Sequence, residues 1–316
     1  MQFTLQRHFG IGISLDEDRV EVVRVRDSLG IVDVMAHAAI PFSKNVYDNG
    51  RIRDVQRFAS ELSALFDTYD LPKKGITVSL PSSMVALRML SMPKVNRKQM
   101  EQMLQFQIQN EIRLPFADPV YDFDSYPSSF HSEDTILLVA TPRDLVNGLV
   151  EAFREAGLRL AAIEAKGFSI LRAVKALDKL PETETIVAEF GVHRIDAHFY
   201  KKGCLLMTRP LDIRADDYVQ QPDYPDSFSR DLSYQIQRSI SFVQYSLKQR
   251  DTAIDTIFLT GHVPDGERLA ECLATQLDIA VKILDKPADR QLNQPLNVIS
   301  LSATGAALRG VKSDAD

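Results

Sequence analysis

The feature that most constrains this chain is an order of elements that occurs twice. Residues 9–15, 20–26 and 31–40 are rich in β-branched side chains and alternate apolar with polar positions, so they read as three consecutive strands. A carboxylate-rich loop, Asp16 to Asp18, separates the first two, and Ser28-Leu29-Gly30 supplies the next turn. The same meander returns at residues 185–190, 195–200 and 204–209, with Gly191 in its first loop and Lys202-Gly203 in its second. A helical pattern and a further strand follow each copy: residues 54–69 then 76–80 in the first, 229–249 then 256–260 in the second. A duplicated βββαβ unit predicts an α/β protein of two lobes around a central cleft.

The helices carry one apolar stripe each. Val55, Phe58, Ala59, Leu62, Leu65 and Phe66 trace the first, and Leu232, Ile236, Ile240, Val243 and Leu247 trace the second. Between the meanders lies a stretch that the repeat does not explain. Asn96-x-x-Gln99 has the spacing of a capping box and opens a helix with Met100, Met103, Leu104 and Ile108 on its inner side, ending at Leu114-Pro115. Strands over 120–126 and 135–140 follow. Thr141 then caps a helix with Pro142 at its first position, and that helix carries Leu145, Val146, Leu149 and Phe153 as far as Ala156-Gly157. This αββα segment is long enough to form a small inserted subdomain.

Composition narrows the function. With 316 residues, at about 150 per domain, the chain has room for two domains, and 37 Lys+Arg against 43 Asp+Glu leave a net charge of −6. That balance argues against a nucleic-acid groove, which needs a surplus of cations. Cys204 and Cys272 form no CxxC pair and have no histidine at ligand spacing, so neither a disulfide scaffold nor a zinc module is indicated. No apolar run approaches the 18 or more residues of a spanning helix, and residues 1–8 lack the apolar core of a signal peptide. The expectation is a cytoplasmic protein that touches a membrane only through a partner.

Several short runs in order along the chain carry a more specific signal. They are Leu80-Pro81-Ser82-Ser83, Met92-Pro93-Lys94, Asn110-Glu111-Ile112-Arg113-Leu114-Pro115-Phe116 with Tyr121-Asp122, and Leu138-Val139-Ala140-Thr141-Pro142. Glu155-Ala156-Gly157-Leu158, Phe168-Ser169-Ile170-Leu171-Arg172-Ala173 and residues 302–310, SATGAALRG, complete the series. Together they resemble the PilM proteins of type IV pilus assembly across almost the whole length. The resemblance implies an actin-like fold (a ribonuclease H-like duplication) in the arrangement of the division protein FtsA. On that plan the first lobe comprises residues 1–90, 161–181 and 300–316, the inserted subdomain 91–160, and the second lobe 182–299. It also implies a scaffold at the inner face of the inner membrane that binds the N-terminal cytoplasmic tail of PilN, a bitopic membrane protein. The tail is expected to dock where residues 91–160 meet the first lobe, through apolar anchors and backbone pairing at a strand edge.

The fold that this resemblance implies commonly holds ATP with magnesium, and here the loops depart from the pattern. Gly-Ile-Asp-Ile-Gly-Ser becomes Gly10-Ile11-Gly12-Ile13-Ser14-Leu15, so the Asp and the second Gly are lost. Asp16, Glu17 and Asp18 then stand close to where phosphate would sit, and like charges there repel it unless a metal bridges them. The second Asp-Ile-Gly becomes Glu189-Phe190-Gly191, followed by Val192 and His193, and the adenosine Gly-Gly pair becomes the stretch from Gly261 to Gly266. Gly12, Ser14, Glu189, Gly191, Gly261 and Gly266 are thus the candidate positions of a degenerate nucleotide site, with no catalytic residue and no metal ligand assigned. The expected function is binding without turnover. The alternatives are an actin-like component of type II secretion and an ATP-dependent enzyme of the actin and sugar-kinase superfamily.

Other patterns receive structural readings. Gly10-x-Gly12 lacks the third glycine and the helix of a dinucleotide fingerprint, and Gly167-Phe168-Ser169 lies in a helical pattern rather than in a nucleophile elbow. Glu189, His193, Asp196 and His198 read as exposed strand polarity. Lys94, Arg97 and Lys98 read as a solvated helix start.

Overall fold

The computed structural model describes residues 8–28, 31–48, 50–126, 134–177, 183–191, 193–246, 253–284 and 300–311. The expected turn at Leu29-Gly30, Val192, Leu247 and the tail 312–316 lie outside the described residues.

In the first lobe, β1 (His8–Leu15), β2 (Arg19–Ser28) and β3 (Ile31–Pro41) form the antiparallel meander. A short hairpin of β4 (Tyr47–Asp48) and β5 (Arg51–Ile52) leads to α1 (Val55–Thr68) and β6 (Ile76–Leu80). The chain then leaves the sheet for β7 (Ala86–Met92), α2 (Arg97–Asn110), β8 (Pro119–Ser125) and β9 (Asp134–Pro142), and returns through α3 (Arg143–Glu155), β10 (Leu160–Ala165) and α4 (Lys166–Ala176). The second lobe runs β11 (Glu184–Phe190), β12 (Ile195–Lys201), β13 (Cys204–Leu211), α5 (Asp226–Ser241), β14 (Ile254–Gly261), α6 (Gly266–Leu277), β15 (Ala280–Ile283) and α7 (Leu301–Gly310). A π-helical stretch at residues 242–246 extends α5.

The two five-stranded sheets have the same order, β10-β6-β1-β2-β3 and β13-β12-β11-β14-β15 read from opposite ends. In each, the meander is antiparallel and the two later strands are parallel to its first strand. The repeat is therefore longer than the βββαβ expected from sequence. It is βββαβαβα, and α4 and α7 are equivalent final helices. The fold is actin-like.

That longer repeat changes the inserted segment. Helix α3 is the repeat's second helix, and its Leu145, Leu149 and Phe153 join Phe58, Leu62 and Phe66 of α1 in the first lobe's core. Strand β10 pairs with β6 in the first sheet. The extra piece is thus β7-α2-β8-β9, residues 86–142, instead of an αββα unit over 91–160. It is a three-stranded sheet of order β7-β9-β8 with Met100 and Leu104 of α2 packed on Met92 and Ile136. The capping box forms, with Asn96 Oδ1 accepting from the Gln99 N–H and Gln99 Oε1 accepting from the Asn96 N–H. Thr141 does not cap α3; its hydroxyl donates to Met84 O at 2.8 Å and closes the base of the insertion.

The lobes exchange their last helices. Ile170, Ala173 and Val174 of α4 pack on Val187, Tyr200 and Leu205 of the second lobe, while Ala303 and Ala307 of α7 pack on Val23, Val25 and Val34 of the first. Such close contact requires small residues. A Cβ on Gly12 would stand 2.9 Å from the Ala306 carbonyl carbon and nearer still to Ala303 O and Ala307 N. One on Gly305 would meet the backbone of Ser169, 3.1 Å from its Cα and closer to its carbonyl.

Candidate functional site

The cleft between the lobes lies at the ends of β1 and β11. Alternation along β1 turns Ile11, Ile13 and Leu15 into the α1 core and Gly10, Gly12 and Ser14 toward α7. Gly12, where the family pattern has an aspartate, is covered by α7 backbone. Ser14 Oγ is 2.8 Å from Ser302 Oγ, which is 2.7 Å from Ser300 Oγ and reaches Glu189 Oε1 at 3.3 Å. Ser14 and Glu189, from different lobes, are thus joined through α7.

The other candidates divide into two places. Gly191 lines the cleft, and its N–H donates to Arg194 O at 2.8 Å. Gly261 pairs with Phe190 at the end of the second sheet with φ +86°, and its α-carbon faces the Phe190 backbone. Gly266 begins α6 beside Ile283. Gly261 and Gly266 therefore sit at the end of β14 and the start of α6, whereas Glu189 and Gly191 line the cleft.

Sequence reasoning missed the residue at the centre. Lys166, the first residue of α4, is 5% exposed, and its Nζ is 2.5 Å from Asp16 Oδ1 and 3.2 Å from Glu189 Oε2. Burial acts to lower its pKa, but Asp16, Glu189 and Asp196 together hold it well above the ordinary lysine value. Reciprocally, burial acts to raise the pKa of Glu189, and the Lys166 ammonium and His198 hold it well below the usual carboxylate range. A second ion pair crosses the lobes, Arg194 to Glu17 at 2.9 Å. Glu21, buried next to this cluster, is pushed up to about 8 by burial and by the charges of Asp16 and Glu189. The space left among these groups is small, about 30 Å³.

Most of the residues expected as exposed strand polarity lie inside the protein. Glu189, Asp196 and His198 are buried, with His198 Nδ1 2.9 Å from Thr208 Oγ1 and Nε2 3.9 Å from Glu189. Only His193 is on the surface, 3.4 Å from Asp216. Among the described residues, no three such side chains are gathered at metal-binding distances.

A larger groove of about 440 Å³ separates β8 and β9 of the insertion from α4. Phe168 and Leu171 on α4 face Leu137 and Val139 on β9, and Leu205 closes one side. Strand β8 is the outer strand of its sheet and, among the described residues, pairs only with β9, so its other edge offers backbone N–H and C=O groups. The basic helix start is not simply solvated. Arg97 binds Asp122 at 3.0 Å, lies over the Phe123 ring at 4.7 Å and lines the groove. At the opposite end, buried Glu164 accepts from Ser169, Arg172 and Arg309 at 2.5–3.0 Å. Burial acts to raise the Glu164 pKa, and those donors outweigh it, so the carboxylate stays ionised below the usual range.

No helix among the described residues is long and apolar enough to cross a membrane. No curated protein matches the chain. Among solved structures, a PilM-PilN type IV pilus biogenesis complex matches with a TM-score of 0.78 at 20% identity, over 96% of this chain and 99% of that one. The cytoplasmic domain of EpsL, an inner-membrane component of the type II secretion system of Vibrio cholerae, matches with 0.53 at 12% over 96% and 95%. The ethanolamine utilization protein EutJ from Carboxydothermus hydrogenoformans matches with 0.52 at 14% over 95% and 89%. At these identities the likenesses show the fold. The sequence family described as type IV pilus assembly protein PilM matches residues 10–210, well over half of the chain, and the chain belongs to that family.

Proposed function

We propose that this protein is a cytoplasmic scaffold of a type IV pilus machine, positioned at the inner membrane by capturing the N-terminal tail of a PilN-like bitopic protein. The observation that carries this reading is the groove between β8 and α4. Its 440 Å³ falls within the 300–1,000 Å³ usual for ligand pockets. Apolar side chains from α4 and β9 provide anchor sites, and the β8 edge provides pairing for an extended peptide. The PilM-PilN complex, with the same fold over nearly its whole length, supports a partner of that kind.

Turnover of ATP is not part of this reading. Gly12 has no carboxylate to support magnesium, and Lys166 already spans Asp16 and Glu189 in the cleft. A magnesium nucleotide does not fit those residues.

The test is capture of a synthetic PilN-like tail peptide, measured by fluorescence anisotropy. Leu171→Asp should weaken binding at least tenfold with the melting temperature nearly unchanged, because Leu171 is only partly buried and its loss is felt in the groove. Tyr234→Ala, on the exposed face of α5, should bind like the parent. Undiminished binding by Leu171→Asp would move the docking site elsewhere. Millimolar MgATP should leave the melting temperature of the parent unchanged, since ligand stabilisation follows RT ln(1 + [L]/Kd).

A further inference from the structure

Asp16 belongs to the loop after β1, and Glu189 is the last but one residue of β11, so the two carboxylates come from different lobes. Asp196, on β12, lines the same cleft. Acids brought this close repel one another unless a cation lies between them. In oxygen-ligand sites the cation is commonly Mg²⁺, held by one or two carboxylates with water completing its shell. Here the positive charge comes from the chain itself, as the Lys166 ammonium touching one carboxylate of each lobe.

The lysine is built into place and is not a surface charge folded inward. Strand β10 delivers the chain at the end of the first sheet, and α4 begins at once with Lys166. The next residue, Gly167, leaves no room for a side chain, because a Cβ there would come within 2.8–2.9 Å of Leu205 and Thr208. The Gly167 carbonyl accepts the Tyr200 hydroxyl at 2.8 Å, which pins the helix start to the second lobe. A helix N-terminus disfavours a cation, so α4 itself does nothing to hold the ammonium there. An unpaired buried ammonium costs several kcal/mol, and the carboxylates supply the compensation.

We propose that Lys166 is a resident cation: its ammonium takes the position of a divalent ion between Asp16 and Glu189 and ties the two lobes together with neither metal nor nucleotide. The inference rests on one part of the proposed function, that the cleft is not a working magnesium-nucleotide site. Tail capture at the groove is independent of it. The consequence is a two-lobed scaffold whose closure does not follow nucleotide state, with the groove walls on α4 and the insertion held in one relation.

The test removes the internal cation and offers an external one. Lys166→Met keeps the length of the stem and leaves the acids uncompensated. The probe is Mn²⁺, with loss of the free-ion EPR signal reporting binding and thermal unfolding reporting stability, both on the full chain. The parent should bind no Mn²⁺ and show the same melting temperature in chelator and in millimolar Mn²⁺. Lys166→Met should melt lower in chelator, take up a single Mn²⁺ and regain at least half of the lost melting temperature. A triple variant, Lys166→Met with Asp16→Asn and Glu189→Gln, should fold without Mn²⁺ and bind none.

Uptake of Mn²⁺ by the parent that is lost in Asp16→Asn overturns the proposal, as does a Lys166→Met protein indifferent to chelator and Mn²⁺. Equal uptake by the triple variant overturns it too, because the ion would then bind elsewhere. Should Lys166→Met fail to fold even with Mn²⁺, the triple variant decides. Its folding supports the charge argument, and its failure refutes it. Stabilisation of the parent by MgATP would instead count against the reading of the cleft in the scaffold function, so the two failures are told apart.

Discussion

Replacing Gly12 by alanine adds one methyl group at the position where β1 meets α7. The contacts are all backbone atoms: the Ala306 carbonyl carbon at 2.9 Å, with Ala303 O and Ala307 N closer. Carbon atoms settle at 3.5–4.0 Å, so α7 must retreat by on the order of 1 Å, and no side-chain rotation can relieve the clash. Helix α7 cannot retreat freely, because its first seven residues are buried and Gly305 is pressed against Ser169 of α4 on its other side. Overpacking a core costs about 1–3 kcal/mol, and the upper end applies where only backbone can yield. Separating Ser14 from Ser302 adds ~1 kcal/mol for a buried hydroxyl pair. The expected loss is ~3–4 kcal/mol, which at about 2 °C per kcal/mol for a chain of this size lowers the melting temperature by about 6–8 °C. The assay is thermal unfolding followed by circular dichroism, with Gly148→Ala as the opposite case. Gly148 lies inside α3 with no atom near its absent side chain, so alanine there should raise stability by ~0.5–1 kcal/mol. A Gly12→Ala protein melting within a degree of the parent would refute the packing argument for this glycine. It would also reopen the view that Gly12 is a weakened phosphate contact.

Two further outcomes follow from buried carboxylates. Glu21 holds its proton up to about pH 8 against an ordinary 4.5. The stability this contributes is complete below about pH 4.5 and is lost as pH rises through about 8, a difference of at most ~5 kcal/mol. Glu21→Gln should therefore flatten the fall in stability between pH 5 and 9 in urea titrations, and an unchanged slope would show that Glu21 is ionised in the native state. Glu164→Ala strands Arg172 and Arg309 without their shared acceptor. Both guanidiniums reach solvent, so the cost should be about 2–3 kcal/mol, below the 3–5 of a fully buried pair. A urea midpoint equal to that of the parent would show that water replaces the carboxylate at no cost.

What the sequence by itself determined was everything carried by local period. The two meanders, α1 with its Asp54 cap accepting from the Arg57 N–H, the capping box of α2 and strand β6 all lie within a residue or two of where alternation and capping placed them. The family was legible in short motifs. The candidate loops were legible in part: Ser14 and Glu189 do meet, yet through Ser302, a residue nearly 300 positions from the first.

Tertiary structure alone decided the rest, because it depended on which surfaces meet. Helix α3 reads as part of the insertion in sequence, and only its packing on α1 assigns it to the first lobe. Gly12 reads as an eroded phosphate loop in sequence, and only the exchanged helix α7 shows the space it must leave empty. Lys166, preceded by a strand and followed by a helix, has the local signature of an ordinary solvated charge. It becomes the centre of the cleft only because α4 crosses from one lobe to the other and carries the lysine between carboxylates that are 173 positions apart, Asp16 and Glu189. Periodicity reports which side of an element is buried. It does not report which distant charge lies opposite, and that pairing determines the chemistry of this site.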